Sequence, residues 1–289
     1  MISAMTLRDS SATDIALHSG NRLVRQVTGL TGAPGIRQVV RPRPNRHGAI
    51  NDTSHMHERA IVVSGVLKGA NEAGVWTEYD AVQSVMFDAV GTDRTLKWTR
   101  ASSALALQAT VRVHDLFDGP LSFENGLFHL PYQATFLAED PREYLQTETT
   151  ATGAALSGAA GGLVFSAAFP WRFTPSGAGA ASVNNTGTIP TPPVFNVYGA
   201  VSSPQVLLVG SSPDERIVLT GSVSDGDYLE VDVFNRTIKL NGTTNRLNLL
   251  DFTGTTWFDL PVGSKTIRLL GATFNANARV DVLYRPAYL

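Results

Sequence analysis

The last third of the chain alternates apolar and polar side chains in short runs separated by turn residues, and this pattern constrains the fold most strongly. In the run 228–233, Leu and Val alternate with Glu and Asp, so an extended backbone places the apolar residues on one face. Turn signals precede this run at 224–227 and follow it at Asn241-Gly242. Repeated short runs of this kind are typical of an antiparallel β-sandwich. We predict no helix of any length between residues 190 and 289.

The first half of the chain is also mainly β, with one helix. Strand patterns occupy residues 59–69, 95–100, 103–116 and 128–138. The segment 76–90 differs, because its apolar residues recur every three or four positions. They are Trp76, Tyr79, Val82, Val85, Met86 and Val90. This spacing predicts one amphipathic helix that packs on the sheet.

The middle of the chain has a different composition. Between residues 151 and 193 the only charged residue is Arg172, and small residues, Pro and Asn dominate. Such a composition cannot nucleate a core, so it predicts a connector with one or two short strands, for example at 163–169. We therefore predict a first domain at 1–150, a connector at 151–190 and a second domain at 191–289.

One stretch of the same region requires a membrane test. Residues 149–171 carry no charge and are numerous enough to span a bilayer. However, they are mainly Ala, Gly, Ser and Thr, which contribute little to insertion. We expect no membrane insertion.

Charge is distributed unevenly along the sequence. Residues 1–50 contain seven arginines and two aspartates, which gives +5, whereas residues 51–150 contain seven basic and fourteen acidic residues, which gives −7. The remainder is balanced, and the net charge of −2 argues against nucleic acid as the main partner. A basic segment beside an acidic one predicts complementarity within a subunit or between neighbours. The alternative is that these arginines are simply solvated.

Candidate catalytic and metal-binding residues are few. With no cysteine, the chain has no disulfide, thiol nucleophile or cysteine zinc site. His55 and His57 could begin a metal site, but their neighbours are typical of an exposed loop. His114 and Asp115 are adjacent in a predicted strand, so their side chains would point to opposite faces. We expect no catalytic residue, no cofactor and no metal site.

Two further groups have a structural and a functional interpretation. The acidic residues Asp225, Asp227, Glu230 and Asp232 resemble half of a calcium loop, but the remaining ligands of such a loop are missing, so we favour a solvated turn. The pair Trp257-Phe258 could stack on a sugar ring or lie in the core, and we favour the core.

Three blocks near the C-terminus together resemble one known family. Residues 192–206 read as a Pro-led strand that ends in Gly and a later Pro, and residues 226–242 run from a Gly-Asp turn to an Asn-Gly turn. Residues 257–269 combine an aromatic pair, a Leu-Pro-x-Gly turn and a strand. This ordered set resembles the outer domain of siphophage distal tail proteins, which form the ring between tail tube and tail tip. In the first half, residues 139–146 resemble the Asp-Pro-aromatic segment that closes the family's ring-forming domain.

The resemblance implies a structural protein without enzymatic activity. Its N-terminal domain would be a small split β-barrel with one helix that closes a hexameric ring. Its C-terminal domain would be a galectin-like or carbohydrate-module-like sandwich on the outside. The expected location is the tail tip of the virion, after assembly in the host cytoplasm.

The resemblance also implies partners. These are further copies of the chain, the tail tube protein, the tail-tip hub and receptor-binding or fibre proteins, and a host cell-surface glycan is an additional candidate. Two other classes stay open from the residues themselves. One is a lectin-like carbohydrate-binding protein that uses Trp257. The other is a glycan hydrolase that uses paired carboxylates such as Asp225, Asp227 or Asp232.

Overall fold

The chain forms two compact units. A computed structural model describes residues 2–9, 11–30, 32–51, 54–88, 91–156, 179–211 and 215–289. One unit consists of Met1–Gln146 with Tyr288–Leu289, and the other of Thr147–Ala287. Both are built from antiparallel strands, so the mainly β class predicted from the sequence is confirmed.

The first unit is a set of antiparallel strands with one helix. Its elements are β1 (Ile2–Arg8), β2 (Asp14–Ala16), β3 (Arg22–Thr28), β4 (Ile36–Arg37), β5 (Val40–Pro42), β6 (Ala49–Asn51), β7 (His55–Met56), β8 (Arg59–Gly69), α1 (Glu72–Phe87), β9 (Arg94–Arg100), β10 (Ala106–Asp118), β11 (Ser122–Glu124), β12 (Leu127–Ala138) and β13 (Glu143–Leu145). The main sheet has the order β2-β1-β9-β10-β12-β8-β3, and β11 pairs with β12 while β13 pairs with β10. The strand order has two open ends, β2 and β3, rather than a closed ring of pairings among the described strands.

The predicted helix is present, with shifted ends. It begins at Glu72 because the side chain of Asn71 accepts a hydrogen bond from the Gly74 amide at 2.7 Å, which caps the first turn. It ends at Phe87, and Val90 lies outside the described residues. Its buried face consists of Val75, Val82, Val85 and Met86, and these residues belong to the core of the sheet. Five of the six predicted apolar positions lie in the helix, and three of them, Val82, Val85 and Met86, are buried. Trp76 is exposed and Tyr79 is only partly buried.

The second unit is a sandwich. Its elements are β14 (Thr149–Thr152), β15 (Ala180–Asn185), β16 (Val194–Tyr198), β17 (Val201–Ser202), β18 (Gln205–Leu208), β19 (Arg216–Val218), β20 (Ser222–Val223), β21 (Tyr228–Asp232), β22 (Thr237–Leu240), β23 (Thr244–Asn245), a single 3-10 turn (Leu247–Leu249), β24 (Gly263–Leu270), β25 (Thr273–Phe274) and β26 (Arg279–Tyr284). The last strand, β27 (Ala287–Tyr288), belongs to the main sheet of the first unit. One sheet has the order β14-β26-β16-β21-β22-β23 and another the order β15-β24-β18-β19. A small third sheet contains β20, β17 and β25.

The alternation seen in the sequence produces the core of this sandwich. In β21 the residues Leu229 and Val231 are buried, and in β16 so are Phe195 and Val197. Their outward neighbours are polar or only partly buried. Burial of each such side chain contributes about 1.5–3 kcal/mol, so the period-2 pattern fixes which face of each strand turns inward.

The segment predicted as a connector is partly built into the second unit. Thr149–Thr152 pairs with β26, and Ala180–Asn185 pairs with β24. The residues between them, 157–178, lie outside the described residues, as does the strand predicted at 163–169. The domain limits at 150 and 190 therefore stay predictions. Among the helices in the described parts of the chain, none has the length and apolarity to cross a bilayer.

The Asn241-Gly242 turn is where the sequence predicts it. Asn241 has φ of 51° and Gly242 has φ of 71°, the positive values that a type I′ turn requires at both positions. The Thr243 amide donates to the Leu240 carbonyl oxygen at 3.1 Å and closes the turn between β22 and β23. A Cβ atom on Gly242 would lie 3.4 Å from the Tyr228 hydroxyl, which is ordinary contact, so only the backbone conformation demands glycine.

We expect Gly242→Val to destabilise the second unit by about 1–3 kcal/mol, because a β-branched side chain is strained at positive φ. The matched control is Gly242→Asn, which should cost less than about 1 kcal/mol because Asn tolerates this region. Urea denaturation of the full chain, with hydrogen exchange at β21 to β23, measures both. Equal losses for the two variants would contradict the strain explanation.

Candidate assembly surface

A two-stranded arm leaves the first unit between β3 and β8. We define the arm as residues 32–51 and 54–58. Within it, β4 pairs with β7 and β5 pairs with β6, and neither pair joins a larger sheet. Nearly all of its described side chains are exposed. A two-stranded ribbon of this kind is marginally stable in water unless another surface covers it.

The arm exposes apolar and basic side chains together. Its exposed apolar residues are Ile36, Val39, Val40, Ile50 and Met56, and Ile36 is 60% accessible. Residues 36–51 contain four arginines and no acidic residue. In the β5–β6 pairing Arg41 lies opposite Ile50, so positive charge and apolar surface are adjacent. Arginine beside apolar area is characteristic of protein interfaces.

A buried ion cluster holds the root of the arm. Glu143 in β13 is fully buried, and its carboxylate accepts hydrogen bonds from Arg59 at 2.9 Å and from Arg100 at 2.6 Å. The Arg59 guanidinium also donates to the Gly29 carbonyl oxygen at 3.1 Å. The cluster therefore connects the point where the chain enters the arm, near Gly29, to the point where it returns, at Arg59.

The electrostatics of this cluster follow from its burial. Burial raises the pKa of the Glu143 carboxyl, and the charges of Arg100 and Arg59 oppose that rise.

The backbone at the start of the arm requires glycine. Gly29 has φ of 87°, and a Cβ atom there would lie 2.0 Å from the Ala60 carbonyl oxygen. Only glycine fits this position. The sequence marked residues 139–146 as a family-like segment but gave no sign that Glu143 would face two arginines.

The histidines singled out in the sequence do not form a site. His55 lies in β7 of the exposed arm, and His57 is 3.5 Å from Glu58. His114 and Asp115 are exposed at an irregularity in the pairing of β10 with β12. In the part of the chain that the structure describes, no three His, Asp or Glu side chains come together in a way that could hold a metal ion.

The acidic residues of the second unit are engaged in turns. The Asp225 carboxylate accepts hydrogen bonds from the side-chain amides of Asn275 and Asn277, both at 3.0 Å, and these bonds lower its pKa. Asp227 accepts one from Asn241 at 2.8 Å. Asp232 binds the main-chain and side-chain nitrogens of Asn235. Each of these carboxylates thus stabilises a separate turn, and they do not converge on one position where a calcium ion could bind.

The aromatic pair packs inward. Phe258 is 3% exposed and its ring lies 5.6 Å from that of Phe195. Trp257 is partly buried against the same core. The interpretation as core residues is confirmed. Among the described residues of this unit, the most exposed aromatic side chains are instead those of Phe252 and Phe234, which the alternating pattern did not single out because they lie in turns.

Known proteins share this architecture. Residues 186–288 match the family model for the C-terminal domain of the siphovirus-type tail component. The structure of SPP1 Dit (gp 19.1), described as a paradigm of the hub adsorption apparatus in phages that infect Gram-positive bacteria, is 13% identical, with a TM-score of 0.66 over 99% of both chains. A chain of the phage P2 baseplate in its activated conformation with Ca is 11% identical, with a TM-score of 0.52 over 99% of this chain and 98% of that chain. No curated protein gives a significant match. The resemblance inferred from the sequence motifs is confirmed, and the fold is similar to that of Dit.

We expect Glu143→Ala to destabilise the first unit by about 3–5 kcal/mol, because the buried guanidinium of Arg59 would lose its anion. The control is Glu139→Ala, which removes a carboxylate that is 66% exposed and pairs with Arg112 at the surface. This control should change stability little. Thermal unfolding followed by hydrogen exchange in β8, β9 and β13 measures the difference. Similar stability of the two variants would show that the buried cluster is dispensable.

Proposed function

We propose that this chain is a structural subunit of a siphophage tail, which forms a hexameric ring at the distal end of the tail tube. The ring would join the tube to the tail tip or baseplate and act as a hub for adsorption proteins. The observation that carries the proposal is the likeness to SPP1 Dit, which extends over both units of the chain. The match of residues 186–288 to a tail-component family supports the same conclusion.

In this proposal the two units have different tasks. The first unit, which carries the exposed arm, closes the ring with further copies of the chain. The second unit faces outward and contacts receptor-binding or fibre proteins, while the tail tube protein and the tail-tip hub bind the two faces of the ring. The protein would act in the virion, after assembly in the host cytoplasm, and would catalyse no reaction.

The charge distribution supports a ring contact in the first unit. In a ring every subunit repeats one heterologous contact, so a basic and an acidic patch on each copy meet around the whole ring. Such charges steer association and are weakened by salt. The arginines of the arm provide the basic partner.

The competing sequence interpretations have less support. Trp257 and Phe258 pack on the core of the sandwich, so the aromatic pair does not favour a lectin. The carboxylates of Asp225 and Asp227 are bound to asparagine side chains, so they do not favour a glycan hydrolase. Binding of a host glycan by the outward surface stays a separate hypothesis.

Purified protein should form six-fold rings with peripheral lobes in negative-stain images, and light scattering should give the corresponding mass. A protein that stays monomeric even at high concentration would contradict the proposal.

Reversing Arg41, Arg43 and Arg46 to Glu should slow or abolish ring formation and leave both units folded. The matched control reverses three exposed arginines of the second unit, Arg216, Arg236 and Arg246, and should assemble normally. Light scattering at low and high salt follows the assembly, and circular dichroism checks the fold. Assembly of the arm variant at the wild-type rate, with wild-type salt sensitivity, would remove the arm from the ring contact.

A further inference from the structure

The six-stranded sheet of the second unit carries polar and aromatic side chains on the side away from the core. In β16 and β21 buried apolar residues alternate with residues that point outward. Their partners in β22 and β26 point to the same side, because directly paired residues of antiparallel strands share a face. We define the polar face as the six outward residues Asn196, Tyr198, Tyr228, Glu230, Lys239 and Arg279.

Three residues of the polar face form one row across the sheet. Tyr198 pairs with Arg279 on one side and with Tyr228 on the other. The central carbon of the Arg279 guanidinium lies 4.1 Å from the centre of the Tyr198 ring, and the centres of the two tyrosine rings are 5.4 Å apart. Ring and cation contacts of this kind hold the side chains in place, so the row presents a fixed aromatic border.

The neighbouring row contains hydrogen-bonding groups that the sandwich leaves unused. Asn196 lies between Glu230 and Asp281 in the strand register. Its Oδ1 atom is buried, and no donor among the described residues reaches it. Glu230 and Lys239 approach each other only to 4.0 Å, which is longer than a hydrogen bond, so both keep their capacity to bind a ligand. A polar atom without a partner is costly, which favours a ligand that supplies the missing donor.

The charges of the polar face indicate the class of that ligand. Lys239 and Arg279 are balanced by Glu230 and by Asp281, to which the Arg279 Nε donates at 3.2 Å. A balanced surface of this kind does not select nucleic acid or another highly charged polymer. A protein interface usually has an apolar centre, whereas the centre of this face is the amide of Asn196 beside carboxylates.

A neutral sugar matches these groups. Each sugar hydroxyl both donates and accepts hydrogen bonds, so it can bind amide, carboxylate and ammonium groups that lie side by side. The C–H groups of a sugar ring can pack on aromatic side chains, which the border of tyrosines provides. The polar face therefore offers both kinds of contact within one sheet.

We propose that the polar face binds a neutral sugar unit of a glycan. The sugar ring packs along the tyrosine row, and its hydroxyls bind Asn196, Glu230 and Lys239. This inference rests on the proposed function, because a subunit at the tail tip is carried to the host surface. It gives glycan binding a defined site, which lies on a different surface from the core-packed Trp257.

Saturation-transfer NMR on the full chain tests the proposal with glucose, galactose, rhamnose and N-acetylglucosamine as probes. We expect at least one of these neutral sugars to bind, and Glu230→Gln to weaken that binding about tenfold, because a hydrogen bond to a charged group is lost. The matched control is Glu215→Gln, which changes a partly exposed carboxylate just before β19 in the other sheet. This control should bind the sugar like the wild-type protein.

Asn196→Ala provides a second variant. No intramolecular donor reaches Oδ1 of Asn196, so this change should leave the fold intact, as circular dichroism would check, and should also weaken sugar binding about tenfold. Glucuronate, a sugar with a negative charge, should bind no more tightly than the neutral sugars. Preference for glucuronate would overturn the assignment of a neutral ligand.

The outcomes separate this inference from the proposed function. Absence of binding by all four neutral sugars, or binding that Glu230→Gln and Asn196→Ala leave unchanged, would overturn the site and keep the ring proposal. Protection of β16 and β21 from hydrogen exchange by self-association, with no effect of sugar, would assign the face to a second copy and also overturn it. Absence of rings in the wild-type protein would reject the ring proposal without changing the sugar measurement.

Discussion

In the first unit the carboxylate of Glu143 is fully buried between the guanidinium groups of Arg59 and Arg100. This cluster joins three strands, β13, β8 and β9, and through Arg59 it also fixes the backbone at Gly29. A buried ion pair adds little net stability compared with apolar packing, because the charges must be desolvated. Displacement of β13 would leave a buried charge unpaired, so the cluster favours the observed position of this strand.

The arm depends on that arrangement. Its two ends are held close together at Gly29 and Arg59, so a ribbon that has little support of its own leaves the unit from a defined root. An exposed ribbon of basic and apolar side chains is the kind of surface that the proposed ring contact would cover.

In the second unit, acidic residues that the sequence offered as catalytic or metal-binding candidates form structural hydrogen bonds instead. Asp225, Asp227 and Asn241 bind neighbouring loops, and these contacts satisfy polar groups at the ends of strands. Asn185 acts similarly in the interior, where its side-chain amide donates to the carbonyl oxygens of Ile189 and Leu260. These side-chain contacts hold the loops against the strands of the sandwich.

The sequence by itself determined the elements whose cause is local. The strand at 59–69 and helix α1 follow from the periodicity of their apolar residues, and the turn at Asn241-Gly242 follows from glycine's access to positive φ. Both causes depend only on nearby residues. The ordered motifs also determined the family resemblance. Tertiary structure alone decided the rest. Arg59 and Arg100 lie 84 and 43 residues from Glu143, so no local pattern could reveal the buried cluster. In the same way, the pairing of Thr149–Thr152 and Ala180–Asn185 with distant strands of the sandwich depends on partners that only the folded chain brings within hydrogen-bonding distance.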